Sequence, residues 1–184
     1  MFGLSFLRKK PDVIAPLFAD IVAAARHPVA YRDLGVTDDF EGRFERLALV
    51  MVLVLRRLNA LNAPADSVGQ ELVDRLFAHL DDGLRRSGVG DLSVGKKMKK
   101  LAQAFYGRAK AYTEALDGAD EPALRDALAR NLFGSSVQAD DVPSGLLAEI
   151  RDLTAALEAS DLAALLAGAR LETAISRVHE GSAA

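Results

Sequence analysis

The chain has 184 residues, of which half are hydrophobic and none is cysteine. This length fits one domain, and the lack of cysteine excludes disulfides, thiolate metal ligands and thiol nucleophiles. The longest uninterrupted apolar run, residues 47–55, is less than half of the roughly 20 residues that span a bilayer, so no transmembrane helix is expected. Alanine and leucine supply 60 residues, against 22 for valine, isoleucine and threonine, which favours helices over strands.

The formal net charge of −3 conceals a strongly basic segment. Residues 85–110 contain eight basic residues and one acidic residue, Asp91, which gives this segment +7 and leaves −10 for the rest of the chain. Such a concentration predicts an anionic partner: an acidic protein loop, ribosomal RNA or phospholipid headgroups. A solvated helix face without a partner is the alternative, and charge alone does not decide between them.

Residues 1–12 are expected to form an N-terminal arm. Its apolar residues precede Arg8, Lys9 and Lys10, the reverse of the order in a secretory signal, so export is not expected. Brief contact with a membrane surface is one interpretation of this arm, and ordinary packing is the other.

Residues 13–133 are predicted to form the main helical domain. A first helix over residues 13–26 ends before Pro28, because proline cannot continue the hydrogen bonds of the helix interior. A short helical turn then stops at Gly35, the residue type that most often terminates helices in the left-handed conformation.

The next helix is predicted to be the centre of the fold. Asp38 and Glu41 have the spacing of a capping pair, so this helix begins at Asp38 and runs to about residue 61. Its middle is apolar on every side, which is typical of a helix covered by its neighbours. Four arginines are expected to mark where it emerges: Arg43, Arg46, Arg56 and Arg57.

A glycine-rich joint at residues 88–95 separates two further predicted helices. Ser67 and Gln70 form a second capping pair, which predicts a helix ending near residue 86. The following helix is expected to begin at about Gly95 and to end near residue 116.

The remaining helices lie toward the C-terminus. A fifth helix is predicted over residues 120–132, and residues 134–184 are expected to form a C-terminal helical hairpin, packed on the main domain or appended to it. The two helices of the hairpin cover residues 144–158 and 161–180. With no internal repeat and no strand pattern, the predicted fold class is all-α, a single irregular or orthogonal bundle of about six or seven helices.

The glycine-rich joint also contains a phosphate-loop look-alike. Residues 90–97 read G-D-L-S-V-G-K-K, close to G-x-x-x-x-G-K-[ST]. Lys97 replaces the hydroxyl that binds Mg²⁺, and no buried strand precedes the segment, so nucleotide hydrolysis is not expected. A weaker anion site made by helix N–H groups with Lys96 and Lys97 stays open beside the interpretation as a tight turn.

No catalytic or metal-binding set is recognisable. His27, His79 and His179 fall in separate predicted elements, without carboxylates at ligand spacing. No serine stands in the setting of an activated nucleophile. We therefore expect no catalytic residue, no metal and no cofactor.

The basic helix is predicted to have two faces. One is apolar: Val94, Met98, Leu101, Phe105, Ala109, Tyr112 and Leu116. The other is basic: Lys96, Lys99, Lys100 and Lys110. Beside the lysines lies a strip of small residues that lets another helix approach closely: Ala104, Gly107 and Ala111. Arg108 falls at the edge of the apolar face, where a half-buried guanidinium needs a partner or touches a binding partner directly. Its candidate internal partners are Asp81, Asp91 and Glu41.

Three motifs surround the glycine-rich joint: Gly88-Val89-Gly90-Asp91-Leu92, Val94-Gly95-Lys96 and Ala104-Phe105-Tyr106-Gly107-Arg108. Further blocks precede and follow them: Tyr31, Leu34-Gly35-Val36, Asp38, Gly42-Arg43-Phe44, Leu53-Val54-Leu55-Arg56-Arg57-Leu58 and Arg130-Asn131. Together, over residues 14–133, they resemble the ubiquinol–cytochrome c chaperone family. The sequence departs from the family pattern at Val50, where a histidine is expected, and at Asp39, where threonine is usual.

Members of this family are assembly factors for respiratory complex III. The resemblance implies a non-enzymatic chaperone that binds cytochrome b and supports biogenesis of the ubiquinol–cytochrome c reductase. It also implies contact near the ribosome exit region and a small partner protein. The basic segment suits either that region or an anionic inner-membrane surface. A cytoplasmic location, peripheral to the inner membrane, is expected. A peripheral membrane or ribosome adaptor without a role in folding cytochrome b is the alternative.

The candidate site residues are expected to fall into two groups. Residues expected to bind the client or a partner are the following: Lys96, Lys97, Lys99, Lys100, Phe105, Tyr106, Gly107 and Arg108. Those expected to hold the fold are these: Gly35, Asp38, Gly42, Arg43, Gly88, Gly90, Asp91 and Gly95.

Overall fold

The computed structural model describes residues 12–181, apart from the side chains of Val178 and Glu180. The membrane contact considered for the N-terminal arm falls on residues outside this range. The helices are, in order: α1 (Ala15–Ala25), α2 (Pro28–Arg32), α3 (Phe40–Asn59), α4 (Ala65–Arg86), α5 (Asp91–Asp117), α6 (Glu121–Asn131), α7 (Ser144–Glu158), α8 (Leu162–Leu166) and α9 (Leu171–Gly181). A 3₁₀ turn, Ala139–Asp141, precedes α7, and the described residues contain no strand. The all-α prediction is confirmed.

The apolar middle of α3 is the centre of the bundle, as predicted. Residues 44–54 are all buried, and the helix packs against α1, α4, α5 and α7. A helix with this many apolar side chains on every face is stable only when neighbours cover it on all sides, since each buried leucine or valine contributes about 1.5–3 kcal/mol relative to exposure.

The start of α3 differs from the predicted one by one residue. Asp39, rather than Asp38, caps the helix: its carboxylate accepts the backbone N–H of Gly42 at 2.8 Å and the hydroxyl of Thr37 at 3.0 Å. These two hydrogen bonds lower the pKa of Asp39. Asp38 is thereby left to pair with Arg43 at 2.7 Å.

Both helices beside the glycine-rich joint begin earlier than predicted. The capping pair at Ser67 is wrong, because α4 already begins at Ala65 and the Ser67 hydroxyl donates to the carbonyl of Pro64. α5 begins at Asp91, immediately after Gly90, so Gly95 lies inside the helix. Residues 91–94 are therefore helical where a loop was predicted.

Arg46 does not mark a point where α3 emerges, so that prediction is wrong. Its side chain is fully buried and donates from Nη2 to Oε1 of Glu149 in α7 at 2.6 Å. The second oxygen of Glu149 lies 3.2 Å from Nε2 of His179 in α9. A buried charge requires such a partner, and Glu149 lies too far along the chain for sequence spacing to reveal it.

The predicted final helix is split in two. α7 has the predicted bounds, but residues 167–170 interrupt the next helix, so α8 is short and α9 begins at Leu171. The carboxylate of Asp20 in α1 accepts the Leu171 N–H at 3.1 Å. This hydrogen bond satisfies a free donor at the start of α9 and attaches that helix to α1. α9 also packs against α7.

Candidate interaction surface

α5 separates the predicted binding residues into an inward and an outward group. Its fully buried residues face the core: Val94, Phe105, Tyr112 and Ala115. Six of the predicted binding residues are exposed: Lys96, Lys97, Lys99, Lys100, Tyr106 and Gly107. Successive residues of a helix are 100° apart, so the four lysines surround the exposed side of the N-terminal half. We call these six residues and Leu92 the outer face of α5.

The lysines of the outer face carry unneutralised charge. No carboxylate of the described residues lies within 4.0 Å of Lys96, Lys97, Lys99 or Lys100, whereas Lys110 lies 3.9 Å from Glu114. The sequence of residues 92–113 contains no acidic residue. The positive potential of this surface is therefore available to a ligand or partner.

Phe105 belongs to the core, which corrects its expected place on the binding surface. Its side chain is 1% exposed. The ring packs edge-to-face against Phe77 of α4, with 5.8 Å between centroids. Phe105 therefore supports the outer face from beneath.

Arg108 also turns inward, into an internal ion pair. Its Nε and Nη2 atoms donate to the carboxylate of Glu45 in α3 at 2.8 and 2.6 Å, and its guanidinium carbon lies 5.8 Å from the centre of the Phe44 ring. Hydrogen bonding to Glu45 raises the pKa of Arg108 above its ordinary value. The side chain remains 22% exposed. Arg108 joins α5 to α3 and is not free to bind a partner.

The partner of Arg108 is none of the three carboxylates considered. Asp81 and Asp91 both bind Arg85, and Glu41 lies one helical turn before Glu45. Glu41 and Glu45 share a helix face because they are four residues apart. The sequence therefore indicated the correct face of α3 but not the correct turn.

Leu92 is a surface residue that the sequence pattern did not indicate. Its side chain is 100% exposed, although it lies in the first turn of a helix beside four lysines. Because the helix was expected to begin after Leu92, the sequence did not show that Leu92 lies on the same side of the helix as the lysines. Tyr106, further along the same side, is 57% exposed, and its ring centre lies 6.2 Å from that of Phe77.

Gly107 is not required by the fold. A methyl group added there would meet nothing within 4 Å, and the residue lies in the interior of α5. Glycine inside a helix lowers stability by roughly 1 kcal/mol relative to alanine. Close approach of a partner is one reason to keep it. Ala104 and Ala111, its neighbours in the small-residue strip, are half-buried.

The residues expected to hold the fold have different surroundings. A Cβ atom at Gly42 would overlap the carbonyl oxygen of Thr37. Gly35 and Gly88 have φ angles of +73° and +79°, where other residues are strained. By contrast, a Cβ atom at Gly90 or Gly95 would meet no other atom within 4 Å, so packing does not require glycine at either position.

The weaker anion site at the glycine-rich joint does not form as predicted. Residues 91–97 belong to the first turns of α5, and the turn lies before them, at residues 87–88. The backbone N–H groups of Lys96 and Lys97 are therefore inside the helix, where they bond to preceding carbonyls. Lys96 and Lys97 themselves therefore offer an anion only their side chains, and the uncapped N–H groups at the start of α5 lie one turn or more before them.

A separate cleft of about 380 Å³ lies between the C-terminal ends of α1 and α4 and the start of α3. The ion pair of Asp38 and Arg43 lies on its wall, together with Phe40, which is 38% exposed. His79, also on the wall, is partly buried, and this burial lowers its pKa. Ser87 also lines the cleft, and its hydroxyl donates to the carbonyl of Gly83 at 2.8 Å rather than to a base of the described residues.

Comparison with known proteins agrees with these motifs. The family model for the ubiquinol–cytochrome c chaperone matches residues 32–171. The match extends beyond residue 133, where the resemblance noted in the sequence ended. No significant match was found among curated protein sequences. None of the described helices is long and apolar enough to cross a membrane.

A solved structure, described as the crystal structure of the Cbp3 homolog from Brucella abortus, is similar to this chain. The two are 37% identical and superpose with a TM-score of 0.74, over 85% of this chain and 86% of the other. Similarity in sequence and fold over most of both chains agrees with the family match. This chain belongs to the ubiquinol–cytochrome c chaperone family.

Proposed function

We propose that this protein is a non-enzymatic assembly chaperone that binds cytochrome b during biogenesis of the ubiquinol–cytochrome c reductase. Family membership supports the role in assembly. The outer face of α5 supports the mode of action, because it exposes unpaired lysines, an aromatic ring and a small residue on one rigid helix. That single observation carries the proposal.

Different residues of the outer face are suited to different contacts. Tyr106 and Gly107 offer an aromatic side chain next to exposed backbone, which suits close approach of a helix of cytochrome b. The lysines face the anionic surroundings of the client. The expected cytoplasmic location, peripheral to the inner membrane, and a small partner protein belong to the same proposal.

The test is the haem b difference spectrum of membranes from a strain that lacks this protein. We expect a selective loss of the complex III signal, which the intact gene restores. A gene carrying Lys96→Glu, Lys99→Glu and Lys100→Glu should restore it poorly, since the reversed charges repel an anionic surface.

The matched control reverses three exposed arginines outside the motifs: Arg26→Glu, Arg32→Glu and Arg177→Glu. This variant has the same net charge as the lysine variant and should restore the spectrum. A normal spectrum in the deletion strain would contradict the proposal. If membrane or ribosome co-sedimentation of the wild-type protein were retained in that case, the alternative adaptor function would be favoured.

A further inference from the structure

The exposed leucine of the outer face has no role in the fold. Four large apolar side chains are notably exposed among the described residues, and two of them, Leu92 and Tyr106, lie on this face. They are 14 positions apart, so about 21 Å of helix separates them. Leu92 is fully exposed, and its removal costs the folded protein no packing.

The charge around Leu92 is of one sign. Six basic residues and no acidic residue occur in residues 92–113, and four of the basic residues are the unpaired lysines. The nearby carboxylates Asp81 and Asp91 are bound to Arg85. An anionic surface is therefore complementary to this end of α5.

An exposed leucine among lysines favours an anionic lipid bilayer over RNA as the partner of this surface. Phosphates of RNA are bound by N–H donors, and an adjacent leucine adds nothing to those contacts. An anionic bilayer offers headgroup phosphates with hydrocarbon about 5–10 Å beneath them, so it accommodates both residue types. Lysine side chains place their apolar stems along such a boundary while the ammonium groups stay at the headgroups.

We propose that the N-terminal half of α5 binds an anionic phospholipid bilayer, with Leu92 inserted among the lipids and Lys96, Lys99 and Lys100 on the headgroup phosphates. This inference rests on the proposed function and deepens it, because it assigns the basic half of the outer face to lipid and leaves Tyr106 and Gly107 to the client. The chaperone is thereby held at the surface in which its client is embedded.

The first experiment uses the full chain with Leu92→Trp, which introduces a single fluorophore because the chain has no tryptophan. The probes are vesicles of equimolar phosphatidylcholine and phosphatidylglycerol, and vesicles of phosphatidylcholine alone. We expect the emission to move to shorter wavelength with the anionic vesicles only. Ala155→Trp, at an exposed position of α7, is the control and should show no shift. An unshifted Leu92→Trp emission with anionic vesicles overturns the insertion.

The second experiment measures co-sedimentation with the same vesicles. Each lysine near an anionic surface contributes about fivefold to binding, so Lys96→Gln, Lys99→Gln and Lys100→Gln together should lower the partition coefficient about 100-fold. The variant Arg26→Gln, Arg32→Gln and Arg177→Gln has the same net charge and should bind like the wild type. Equal loss in both triple variants, or equal binding to neutral vesicles, contradicts a lipid site on α5.

The two proposals fail in different ways. If the wild-type protein restores the haem b spectrum but does not bind anionic vesicles, the lipid inference is overturned and the chaperone function stands. If it binds the vesicles through Leu92 and the lysines but its deletion leaves the spectrum unchanged, the lipid inference is supported and the proposed function is not.

Discussion

At the scale of single residues, Arg108 shows how a motif residue that looks like a binding group serves the fold. Its guanidinium is half-buried between the carboxylate of Glu45 and the ring of Phe44. Desolvation of a cation is unfavourable unless a carboxylate compensates it, so the two residues depend on each other. The ion pair fixes α5 against α3 and thereby sets the direction of the outer face.

Glu45→Gln should therefore lower the free energy of unfolding by about 2 kcal/mol, because Arg108 keeps its charge but loses its carboxylate partner. Denaturant unfolding followed by circular dichroism measures this change. Glu41→Gln is the matched control: Glu41 is exposed, one turn earlier on α3, and forms no ion pair with a described residue. Equal effects of the two substitutions would show that the pair does not stabilise the fold.

His79 predicts a dependence of stability on pH. Burial lowers its pKa in the folded protein, against the opposing effect of Asp82 and with the support of Arg26 and Arg86. The unfolded chain takes up a proton near pH 6.5, whereas the folded protein does so only at lower pH. The free energy of unfolding should therefore fall as the pH drops through about 6.5.

The measurement compares wild type with His79→Gln between neutral and mildly acidic pH. The variant should show a smaller loss of stability over this interval. Parallel pH curves would exclude His79 as the source. The ring of Phe18, with its centre 5.6 Å from that of His79, accounts for part of the burial.

At the scale of elements, α5 is a long helix whose two faces have separate tasks. Phe105, Tyr112 and Arg108 attach it to the bundle, whereas the lysines, Tyr106 and Gly107 face outward. The glycines on this helix are informative because their surroundings are open. A glycine that lowers helix stability and relieves no contact within the protein is better explained by close contact with a partner.

Gly107→Ala should raise the free energy of unfolding by about 0.5–1 kcal/mol, because alanine has a higher helix propensity and its methyl group meets no described residue within 4 Å. The same variant should restore the haem b spectrum less well than the wild type if Gly107 contacts the client. Gly95→Ala, also in open space within α5, is the control for the gain in stability. A stabilised Gly107→Ala protein with full activity would remove Gly107 from the client surface.

At the scale of the whole molecule, a set of three side chains, two of them buried, joins distant parts of the chain. Arg46 of α3, Glu149 of α7 and His179 of α9 meet where the central helix contacts the C-terminal helices. Arg46 and Glu149 are fully buried. The ion pair of Arg46 and Glu149 thus attaches the C-terminal helices to the central helix, and removal of one partner would strongly destabilise the protein.

Glu149→Ala should lower the free energy of unfolding by about 3–5 kcal/mol, since it leaves the charge of Arg46 buried without a carboxylate. The double variant Arg46→Met and Glu149→Leu should be far more stable than Glu149→Ala, because no uncompensated charge remains. Denaturant unfolding of the two variants decides this. If the double variant were as unstable as Glu149→Ala, the ion pair itself would stabilise the fold, and the cost of an uncompensated buried charge would not explain the loss.

The sequence by itself determined the helical class, the bounds of α1, α6 and α7 to within a residue or two, and the central place of α3. It also determined which side of α5 carries the lysines. These features depend on local propensity and on the helical repeat, and both are properties of neighbouring residues. The family resemblance likewise followed from local motifs.

Only the tertiary structure decided which charged residues meet. The pairs Arg108 with Glu45 and Arg46 with Glu149 join positions 63 and 103 residues apart. The sequence offered three carboxylates of equal merit for Arg108 and indicated no partner for Arg46. Burial of one guanidinium rather than another depends on how helices cross, which no local pattern encodes. The start of α5 was likewise visible only in the tertiary structure, where it follows the turn at Gly88. Because α5 begins before Leu92, this residue lies on the helix surface and is exposed.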